Sequence, residues 1–205
     1  MFYETAQNQH GLRGDPFKAL VVPRPIGWIS TRTKDGRVNL APYSFFNALD
    51  DDPPLVMFAS GGLKDSVAFA QESGEFVVNF VSESLAQQMN ATSVDAPRGV
   101  NEFGYAGLSE APCQLLSAPR VREAYAALEC RVTQVFTPAT LEGHVSEAVV
   151  AIGQVVGIHI DPAILTEGRV DVAKARPVAR LGYAEFAVVH EHFVMRRPRW
   201  DKGGG

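Results

Sequence analysis

The sequence predicts a mainly β protein, an antiparallel barrel with a few helices on its outside. Six segments rich in β-branched and aromatic residues read as strands. Helical patterns are short and few, and they do not alternate regularly with the strands, which disfavours a doubly wound parallel sheet. A chain of 205 residues is long enough to close such strands around one sizeable core.

The strands are predicted in chain order at residues 26–32, 38–43, 55–60, 76–81, 128–136 and 148–160. A helix is predicted at 66–72 and ends at Gly74, and a second helix covers 83–91, where Ser84 and Gln87 have the spacing of a capping box. Residues 95–103 and 111–120 carry turn residues with little periodicity, so both segments are predicted to be loops.

We expect a single domain over residues 1–205, with its core over 17–185 and a basic, glycine-ended tail at 196–205. The hydrophobic content of 46% and the net charge of −4 are those of an ordinary globular protein. No extended basic run is present, which argues against nucleic acid or a membrane surface as partner. The N-terminus lacks a signal-peptide pattern and no apolar run is long enough to span a bilayer, so a cytoplasmic location is expected.

Two cysteines, Cys113 and Cys130, lie far apart in the sequence. In a chain without a secretion signal, two lone thiols are expected to be reduced. Cys130 alternates with charged neighbours in a predicted strand, so we expect it to be buried in the core.

The segment from Ser60 to Ser66 follows a predicted strand and opens a predicted helix. It brings Lys64, two serine hydroxyls and free backbone N–H groups to the positive end of that helix, which is an arrangement that binds phosphate. The alternative is an ordinary turn in which Asp65 or Ser66 caps the helix. Neither a Walker loop nor a Gly-x-Gly-x-x-Gly motif occurs.

Two segments, 22–31 and 38–47, are joined by the turn 33–37 and are predicted to form a hairpin. Their hydroxyl groups, aromatic rings and prolines would then lie close together. In the first, strand alternation sends Trp28 and Ser30 to one side and Thr31 to the other. In the second, Pro42 removes a ladder donor, so pairing is expected to stop or bulge there and to free backbone groups for a ligand. The alternative role of the nearby rings is core packing: Tyr43, Phe45 and Phe46.

Four motifs occur in order: Val22-Pro23-Arg24-Pro25-Ile26-Gly27-Trp28-Ile29-Ser30-Thr31, Val38-Asn39-Leu40-Ala41-Pro42-Tyr43-Ser44-Phe45-Phe46-Asn47, Asp52-Pro53-Pro54-Leu55-Val56-Met57-Phe58 and Lys64-Asp65-Ser66. With them the chain resembles the flavin reductase-like family of FMN-binding split barrels, over residues 17–183. The resemblance implies an FMN-binding split β-barrel of the antiparallel Greek-key type. It also implies a homodimer with each flavin near the subunit interface.

By the same resemblance, the flavin contacts fall on the first strand, the second strand and the phosphate loop: Trp28, Ser30, Thr31, Arg32, Ala41, Pro42, Tyr43, Ser44, Phe45, Phe46, Ser60, Lys64 and Ser66. Lys64 and Ser66 would hold the phosphate, Ser30 and Thr31 the phosphate or ribityl chain, and residues 41–46 the ring. Residues 180–183 are expected to approach the flavin. A flavin ring needs hydrogen-bond partners along its polar edge and an apolar slot for its faces.

The resemblance implies an FMN-dependent oxidoreductase, a flavin reductase or flavoredoxin-like enzyme. It would pass hydride or electrons from NADH, NADPH or a redox protein through FMN. No catalytic side chain is predicted, because the flavin itself accepts the hydride. Two alternatives stay open: a flavin-carrying electron relay without nicotinamide chemistry, and a cofactor-free dimeric barrel that binds a ligand or a protein in its aromatic slot.

No metal site is predicted. His190 and His192 would share one face of a strand, but no third ligand has a defined spacing to them. His159 ends an apolar strand and is expected to be hydrogen-bonded there, not to act as a base. The acidic run 50–52 is expected to be a solvated turn. The serine-hydrolase and zinc-protease motifs do not occur.

Overall fold

The computed structural model describes residues 1–200, and strands dominate it. The strands are β1 Arg24–Pro25, β2 Gly27–Arg32, β3 Val38–Tyr43, β4 Phe46–Asp51, β5 Pro54–Gly61, β6 Glu75–Asn79, β7 Glu110–Ala111, β8 Arg120–Val121, β9 Ala126–Phe136, β10 Ala148–Ile160, β11 Leu165–Thr166, β12 Arg169–Val170, β13 Val178–Arg180 and β14 Phe186–Val188. The α-helices are α1 Phe17–Leu20, α2 Asp65–Ser73, α3 Ala86–Ala91, α4 Glu102–Tyr105 and α5 Val172–Ala175, with 3-10 turns at Glu83–Leu85 and Pro162–Ile164.

Seven strands form one antiparallel sheet in the order β3-β2-β6-β9-β10-β5-β4. A second sheet has the order β1-β13-β14, and two short hairpins pair β7 with β8 and β11 with β12. The mainly β, antiparallel architecture predicted from the sequence is confirmed.

The large sheet curls because its two edges are joined by a very short connection. Strands β3 and β4 lie at opposite edges, yet only Ser44 and Phe45 separate them in the chain. Edge strands of a flat seven-stranded sheet would be roughly 29 Å apart at the usual spacing of about 4.8 Å. The three Cα steps from Tyr43 to Phe46 cover at most about 11 Å. The sheet therefore closes into a half-barrel whose edges meet at Ser44, a place we call the seam.

Gly27 allows the seam to close. The ring of Phe46, the first residue of β4, lies so near β2 that a Cβ added to Gly27 would be 2.6 Å from Phe46 Cδ2. Gly27 is also the partner of Tyr43 in the β2–β3 ladder. A side chain at residue 27 would therefore push the start of β4 away from the end of β3.

Strand β2 separates two apolar clusters, because both faces of the sheet are covered. Trp28 belongs to the cluster that also contains Leu40 and Phe103. Ile29 belongs to the cluster on the other face, which contains Phe58 and is covered by α2. The predicted alternation of the first strand is thus confirmed, with a core on each side.

Two buried carboxylates hold the predicted loop 111–120 against the sheet. Glu129 accepts hydrogen bonds at 2.8 Å from two consecutive backbone N–H groups, beginning at Gln114. Glu75 accepts one from the backbone N–H of Ala118 at 2.9 Å. Ordered side-chain acceptors therefore replace a strand partner for most of this loop.

The six predicted strands agree with β2, β3, β5, β6, β9 and β10 to within two residues at each end. The interruption expected at Pro42 is wrong: the ladder continues without a shift through Trp28↔Pro42 to the next pair. Because β3 is an edge strand, a proline is tolerated where its nitrogen faces away from the neighbouring strand. The strand β4 was not predicted, since its residues after Phe46 are all exposed and show no alternation of apolar and polar side chains.

Helix α2 ends at Gly74 as predicted, and the left-handed φ of +77° at this glycine explains why. The capping box at Ser84 and Gln87 is wrong. Residues 83–85 form a 3-10 turn before α3, and the Ser84 hydroxyl pairs with the Ser82 hydroxyl at 2.9 Å. Residues 50–52 are exposed as predicted, but Asp50 and Asp51 are the last residues of β4, and the turn to β5 consists of Asp52 and Pro53.

His190 and His192 lie outside any strand and are exposed, so the shared strand face expected for them does not form. Both cysteines are free, and Cys130 is fully buried as predicted. The predicted tail 196–205 is exposed up to residue 200, and its last five residues lie outside the described part of the chain. Within residues 1–200, no helix has the length and apolarity that crossing a membrane requires.

Replacing Gly27 with alanine should destabilise the fold by about 1–3 kcal/mol, because the new methyl group would overpack against the Phe46 ring. Urea unfolding measures this difference. Gly61→Ala is the matched control, since its added Cβ meets no atom within 4 Å. In a Phe46→Ala background the Gly27→Ala cost should shrink; an unchanged cost would show that Phe46 is not what the seam glycine accommodates.

Candidate functional site

A polar cavity of about 360 Å³ lies between the first turn of α2, the end of β3 and the segment 92–98. It brings together five of the residues that the sequence predicted for one site: Ala41, Pro42, Tyr43, Lys64 and Ser66. The second strand and the phosphate loop therefore meet as expected.

The first turn of α2 has no side-chain cap. Lys64 is the N-cap residue, in an extended conformation that gives no side-chain hydrogen bond to the helix. The alternative in which Asp65 or Ser66 caps this helix is therefore wrong. Gly62, with φ of +90°, makes the turn that leads into it. Uncapped N–H groups at a positive helix end suit an anion.

Two cations border the cavity, and each is held by a carboxylate. Lys64 Nζ lies 3.7 Å from Asp95 Oδ1, and both side chains are exposed. Arg98 Nε lies 2.8 Å from Asp65 Oδ1, and the Asp65 carboxylate also accepts a hydrogen bond from the backbone N–H of Gly99 at 3.3 Å. The ion pairs fix the segment 95–99 beside the helix and leave both cations at the cavity rim.

A buried chain of hydrogen bonds sets the position of Ser66. The Glu102 carboxylate accepts hydrogen bonds from Asn39 Nδ2 at 3.1 Å and from the backbone N–H of Leu40 at 2.9 Å. Asn39 Oδ1 in turn accepts one from the Ser66 hydroxyl at 2.6 Å. The Ser66 proton is thereby engaged, so this residue positions the start of α2 more than it donates to a ligand.

The pKa of Glu102 is raised above its ordinary value because the carboxyl is buried, and its hydrogen bonds offset that rise only in part. Burial likewise raises the pKa of Tyr43, against the opposing effect of the Ser66 and Ser60 hydroxyls. Tyr43 also packs at 5.1 Å from the Phe58 ring. Its ring thus belongs to the wall of the core, while its hydroxyl stays neutral.

Two buried hydroxyls are without a hydrogen-bond partner among the described residues. Thr31 Oγ1 and Ser60 Oγ are both shielded from solvent and unpaired. Buried polar atoms are rarely left so, unless a water or a ligand completes them. Both residues were predicted to contact the ligand, but neither lines the polar cavity or its extension at the seam.

Three predicted residues of β2 lie elsewhere. Trp28 is buried, and its indole N–H donates to Thr92 Oγ1 at 2.8 Å. Ser30 donates to Pro119 O at 2.5 Å. Arg32 pairs with Glu110 at 3.1 Å. All three point to the sheet face opposite Thr31, so the structure does not bring their side chains into the polar cavity.

A second, smaller cavity of about 110 Å³ continues from the first at the seam, and both include Pro42 and Ser93. Ser44 and Arg180 line it, and Arg180 is the one residue of the segment 180–183 in its lining. The Arg180 guanidinium lies 4.5 Å above the Phe186 ring. A ligand can therefore extend from the start of α2 across Pro42 to the seam.

The two phenylalanines next to the seam, Phe45 and Phe46, differ in burial. Phe45 is 44% exposed next to Ser44, so its ring is free to contact a ligand or a partner. Phe46 packs against the cluster around Phe58 and lines a separate apolar cavity of about 400 Å³. The core-packing alternative therefore holds for Tyr43 and Phe46.

No histidine lines the polar cavity or its extension at the seam. His159 ends β10 and lies 2.5 Å from Glu129 Oε1, a hydrogen-bonded strand-end histidine as predicted. Burial raises the pKa of the Cys113 thiol to about 12, and it raises that of Cys130 as well. Both thiols are protonated at neutral pH, so neither is an activated nucleophile.

Sequence reasoning missed Asp95, Arg98 and Glu102. All three fall in the segment 95–103, which was predicted only as a loop. The one available signal was the presence of charged residues of both signs in a segment without periodicity. Spacing along the chain could not show that this loop folds back onto α2.

A family model described as "Flavin reductase like domain" matches residues 19–177. An uncharacterised protein of Aquifex aeolicus is 41% identical over 169 residues, which cover 80% of this chain and 83% of that protein. An uncharacterised protein of Halalkalibacterium halodurans is 37% identical over 183 residues, covering 87% of each chain.

Two solved structures resemble the whole chain. Nitrilotriacetate monooxygenase component B from Bacillus cereus is 30% identical, with a TM-score of 0.84, over 95% of this chain and 98% of that one. The 2-nitrobenzoate 2-nitroreductase of Pseudomonas fluorescens is 27% identical, with a TM-score of 0.79, over 92% and 91%. Flavoredoxin of Desulfovibrio vulgaris, 19% identical with a TM-score of 0.74 over 91% and 94%, shares the fold.

The raised pKa of Glu102 predicts how its contribution to stability depends on pH. Because the folded state favours the protonated carboxyl, stability from this group is present at low pH and is lost as pH rises through the folded pKa, which lies above the ordinary 4.5. The unfolding free energy of wild type minus that of Glu102→Gln should therefore fall as pH rises from below 4.5 towards neutrality. The exposed Glu123→Gln pair is the reference for removing a carboxylate elsewhere in the fold.

Urea unfolding of both pairs at a series of pH values measures these differences. A wild-type advantage at Glu102 that grows with pH would contradict the prediction. It would mean that the hydrogen bonds from Asn39 and Leu40 outweigh burial.

Proposed function

Since the chain belongs to the flavin reductase-like family, we propose that it is an FMN-binding oxidoreductase. It would pass hydride or electrons from a reduced nicotinamide or a redox protein through bound FMN. The observation that carries this proposal is the uncapped start of α2, with Lys64 and Arg98 at its rim, continuous with the cavity at the seam. A phosphate end and a planar ring end fit that shape.

Different residues would bind the phosphate end and the ring end of FMN. Lys64, Arg98 and the first-turn N–H groups of α2 would hold the phosphate. The unpaired hydroxyls of Thr31 and Ser60 would hydrogen-bond the ribityl chain. Residues 41–44 would lie along the ring, with their position fixed by the seam.

When bound, FMN supplies the hydride-accepting chemistry, and the protein supplies binding and orientation. Ser66 keeps the start of α2 in place through Asn39 and Glu102. Trp28 supports the cavity wall from behind through its hydrogen bond to Thr92. No side chain in the cavity is required as a nucleophile or a general base, and the protonated thiols of Cys113 and Cys130 are not needed.

The similar proteins support redox chemistry for this family. One is a component of a monooxygenase and another is a nitroreductase. Their own substrates differ, so the physiological electron acceptor of this chain is not inferred from them.

We further propose that the protein is a homodimer. The cavity of about 400 Å³ beside Phe46 is lined almost entirely by apolar side chains, including Pro23, Phe80 and Val189. Phe45 adds an exposed ring at the seam. A second copy of the chain would cover such surface. Light scattering at micromolar concentration checks the mass, and a monomer that retains flavin would contradict this proposal.

The experiment that tests the proposed function is an absorption spectrum of the purified protein, before and after anaerobic addition of NADH or of NADPH. We expect a flavin spectrum that one of the two nicotinamides bleaches. A flavin spectrum that neither nicotinamide bleaches would favour the electron-relay alternative. Protein that is colourless and does not bind added FMN would overturn the proposal and leave the cofactor-free barrel.

The phosphate contact can be tested separately by Lys64→Ala. Losing a charged hydrogen-bond partner should weaken FMN binding by about 1–3 kcal/mol and riboflavin binding much less, because riboflavin has no phosphate. Fluorescence titration of both ligands measures the two losses. Lys34→Ala, another exposed lysine in a turn, is the control and should affect neither ligand. Equal losses for FMN and riboflavin would mean that the phosphate binds elsewhere.

A further inference from the structure

Three side chains with metal-binding atoms meet under the loop 111–120, on the sheet face away from α2. Cys113 lies in that loop, Glu129 on β9 and His159 at the end of β10. One ligand atom from each lies within 4.8 Å of the other two. Nothing in the proposed flavin site uses these three groups.

The register of the sheet places Glu129 and His159 together. Glu129 is the partner of Gly157 across the β9–β10 ladder. His159 is two residues further along β10, so its side chain is on the same face. Gly157 leaves space beside them: a Cβ added there would lie 3.4 Å from Leu115 Cδ1 and 3.5 Å from Glu129 Cβ.

The loop is fastened so that Cys113 reaches the same point. The two backbone N–H groups that follow it, those of Gln114 and Leu115, donate to the two carboxylate oxygens of Glu129 at 2.8 Å each. Cys113 is therefore fixed by the carboxylate that it approaches. The same two bonds orient Glu129, as partners of a metal ligand do in known sites.

The cluster holds a buried carboxylate with little positive charge beside it. Glu129 is only 1% exposed. Among residues 1–200, its ion-pair partner is His159, at 2.5 Å, which carries a charge only when protonated. Around Cys113, the charge of Arg120 acts against those of Glu129 and Glu75. A buried carboxylate is costly unless it is paired or binds a metal.

We propose that Cys113 Sγ, Glu129 Oε1 and His159 Nε2 form a three-ligand site for Zn²⁺, with a water molecule as fourth ligand. Sulfur, imidazole nitrogen and carboxylate oxygen are the ligand types of zinc sites. Solvent reaches the cluster at His159, whose side chain is partly exposed, and a cavity of about 240 Å³ borders Cys113. Bound Zn²⁺ would lock the loop 111–120 onto β9 and β10.

Closing the site needs only small movements. Bond lengths of about 2.0–2.3 Å in a tetrahedron put ligand atoms roughly 3.3–3.7 Å apart. The contact between His159 and Glu129 must therefore open from 2.5 Å, and Cys113 must move inward. The His159 side chain is 21% exposed, which leaves it room to shift. The thiol proton leaves to solvent as the metal binds.

The test is a titration of the full chain, freed of metal by chelator, with Co²⁺ and then with competing Zn²⁺. We expect about one site per chain, with the tetrahedral Co²⁺ spectrum and the thiolate-to-metal absorption that a cysteine ligand gives. X-ray absorption of the Zn²⁺ form should show one sulfur at about 2.3 Å and nitrogen or oxygen ligands at about 2.0–2.2 Å. An X-ray absorption spectrum that shows no sulfur ligand would overturn the site. This measurement uses the wild-type chain, so it does not depend on whether a variant folds.

Matched variants locate the ligands. His159→Gln can keep a hydrogen bond to Glu129 but offers no imidazole, and Cys113→Ser removes the sulfur. Losing an outer-shell partner costs 10–100-fold in affinity, so each should weaken Zn²⁺ by more than about a hundredfold. Each should also abolish the rise in melting temperature that Zn²⁺ gives to wild type. Cys130→Ser and His190→Gln are the controls and should bind Zn²⁺ as wild type does.

Zn²⁺ affinity unchanged in His159→Gln or Cys113→Ser would refute the site. Glu129 and His159 would then be an ordinary hydrogen-bonded pair, and Cys113 would only pack beside them. Flavin binding is measured in the same preparations and should be the same with and without Zn²⁺, since the site lies on the other face of the sheet.

Discussion

The short connection between β3 and β4 is the constraint on which the rest of the molecule depends. Two residues join strands at opposite edges of a seven-stranded sheet, so the sheet has to curl until those edges meet. The curl encloses the cluster around Phe58 and brings the end of the β2–β3 ladder at Tyr43 next to Ser44. Gly27 permits the approach. The end of β3 is only partly buried, and the cavities of the candidate site lie beside it.

Buried carboxylates hold segments of the chain in place where no β-ladder pairs them. Glu102 fixes the end of the 92–101 segment to β3, and Glu129 and Glu75 fix the loop 111–120 to the sheet. Each carboxylate accepts backbone N–H groups that would otherwise be buried without a partner. Both proposed sites therefore depend on a buried carboxylate that ties a segment outside the sheet to a strand: Glu102 on α4 at the cofactor site, and Glu129 on β9 at the metal site.

The sequence predicts the strands well because their alternation is a local property, and six of them are found where the pattern puts them. Alternation also shows that Trp28 and Thr31 face opposite ways. It does not show which face meets the ligand, since both faces of β2 are buried. Trp28, Ser30 and Arg32 were misplaced for that reason. Pro42 was misread because its effect depends on whether β3 is an edge strand, and strand order is a property of the whole sheet. Arg98 and Cys113 gain their positions from loops that only tertiary hydrogen bonds define.

The charges at the start of α2 are compatible with the proposed phosphate site, although the net charge of the chain is −4. Lys64 and Arg98 each face a carboxylate, so the local charge is near balance before a ligand binds. The Lys64–Asp95 contact is long, at 3.7 Å between exposed groups, and such pairs contribute little to stability. A doubly charged phosphate aligned with the helix N–H groups would attract the Lys64 ammonium more strongly than the Asp95 carboxylate does. Arg98 lies closer to its carboxylate, at 2.8 Å from Asp65. It would keep the loop in place while Lys64 moves from Asp95 to the phosphate. Preference for a phosphorylated ligand would then arise from the geometry of the helix end, with one cation that switches and one that stays.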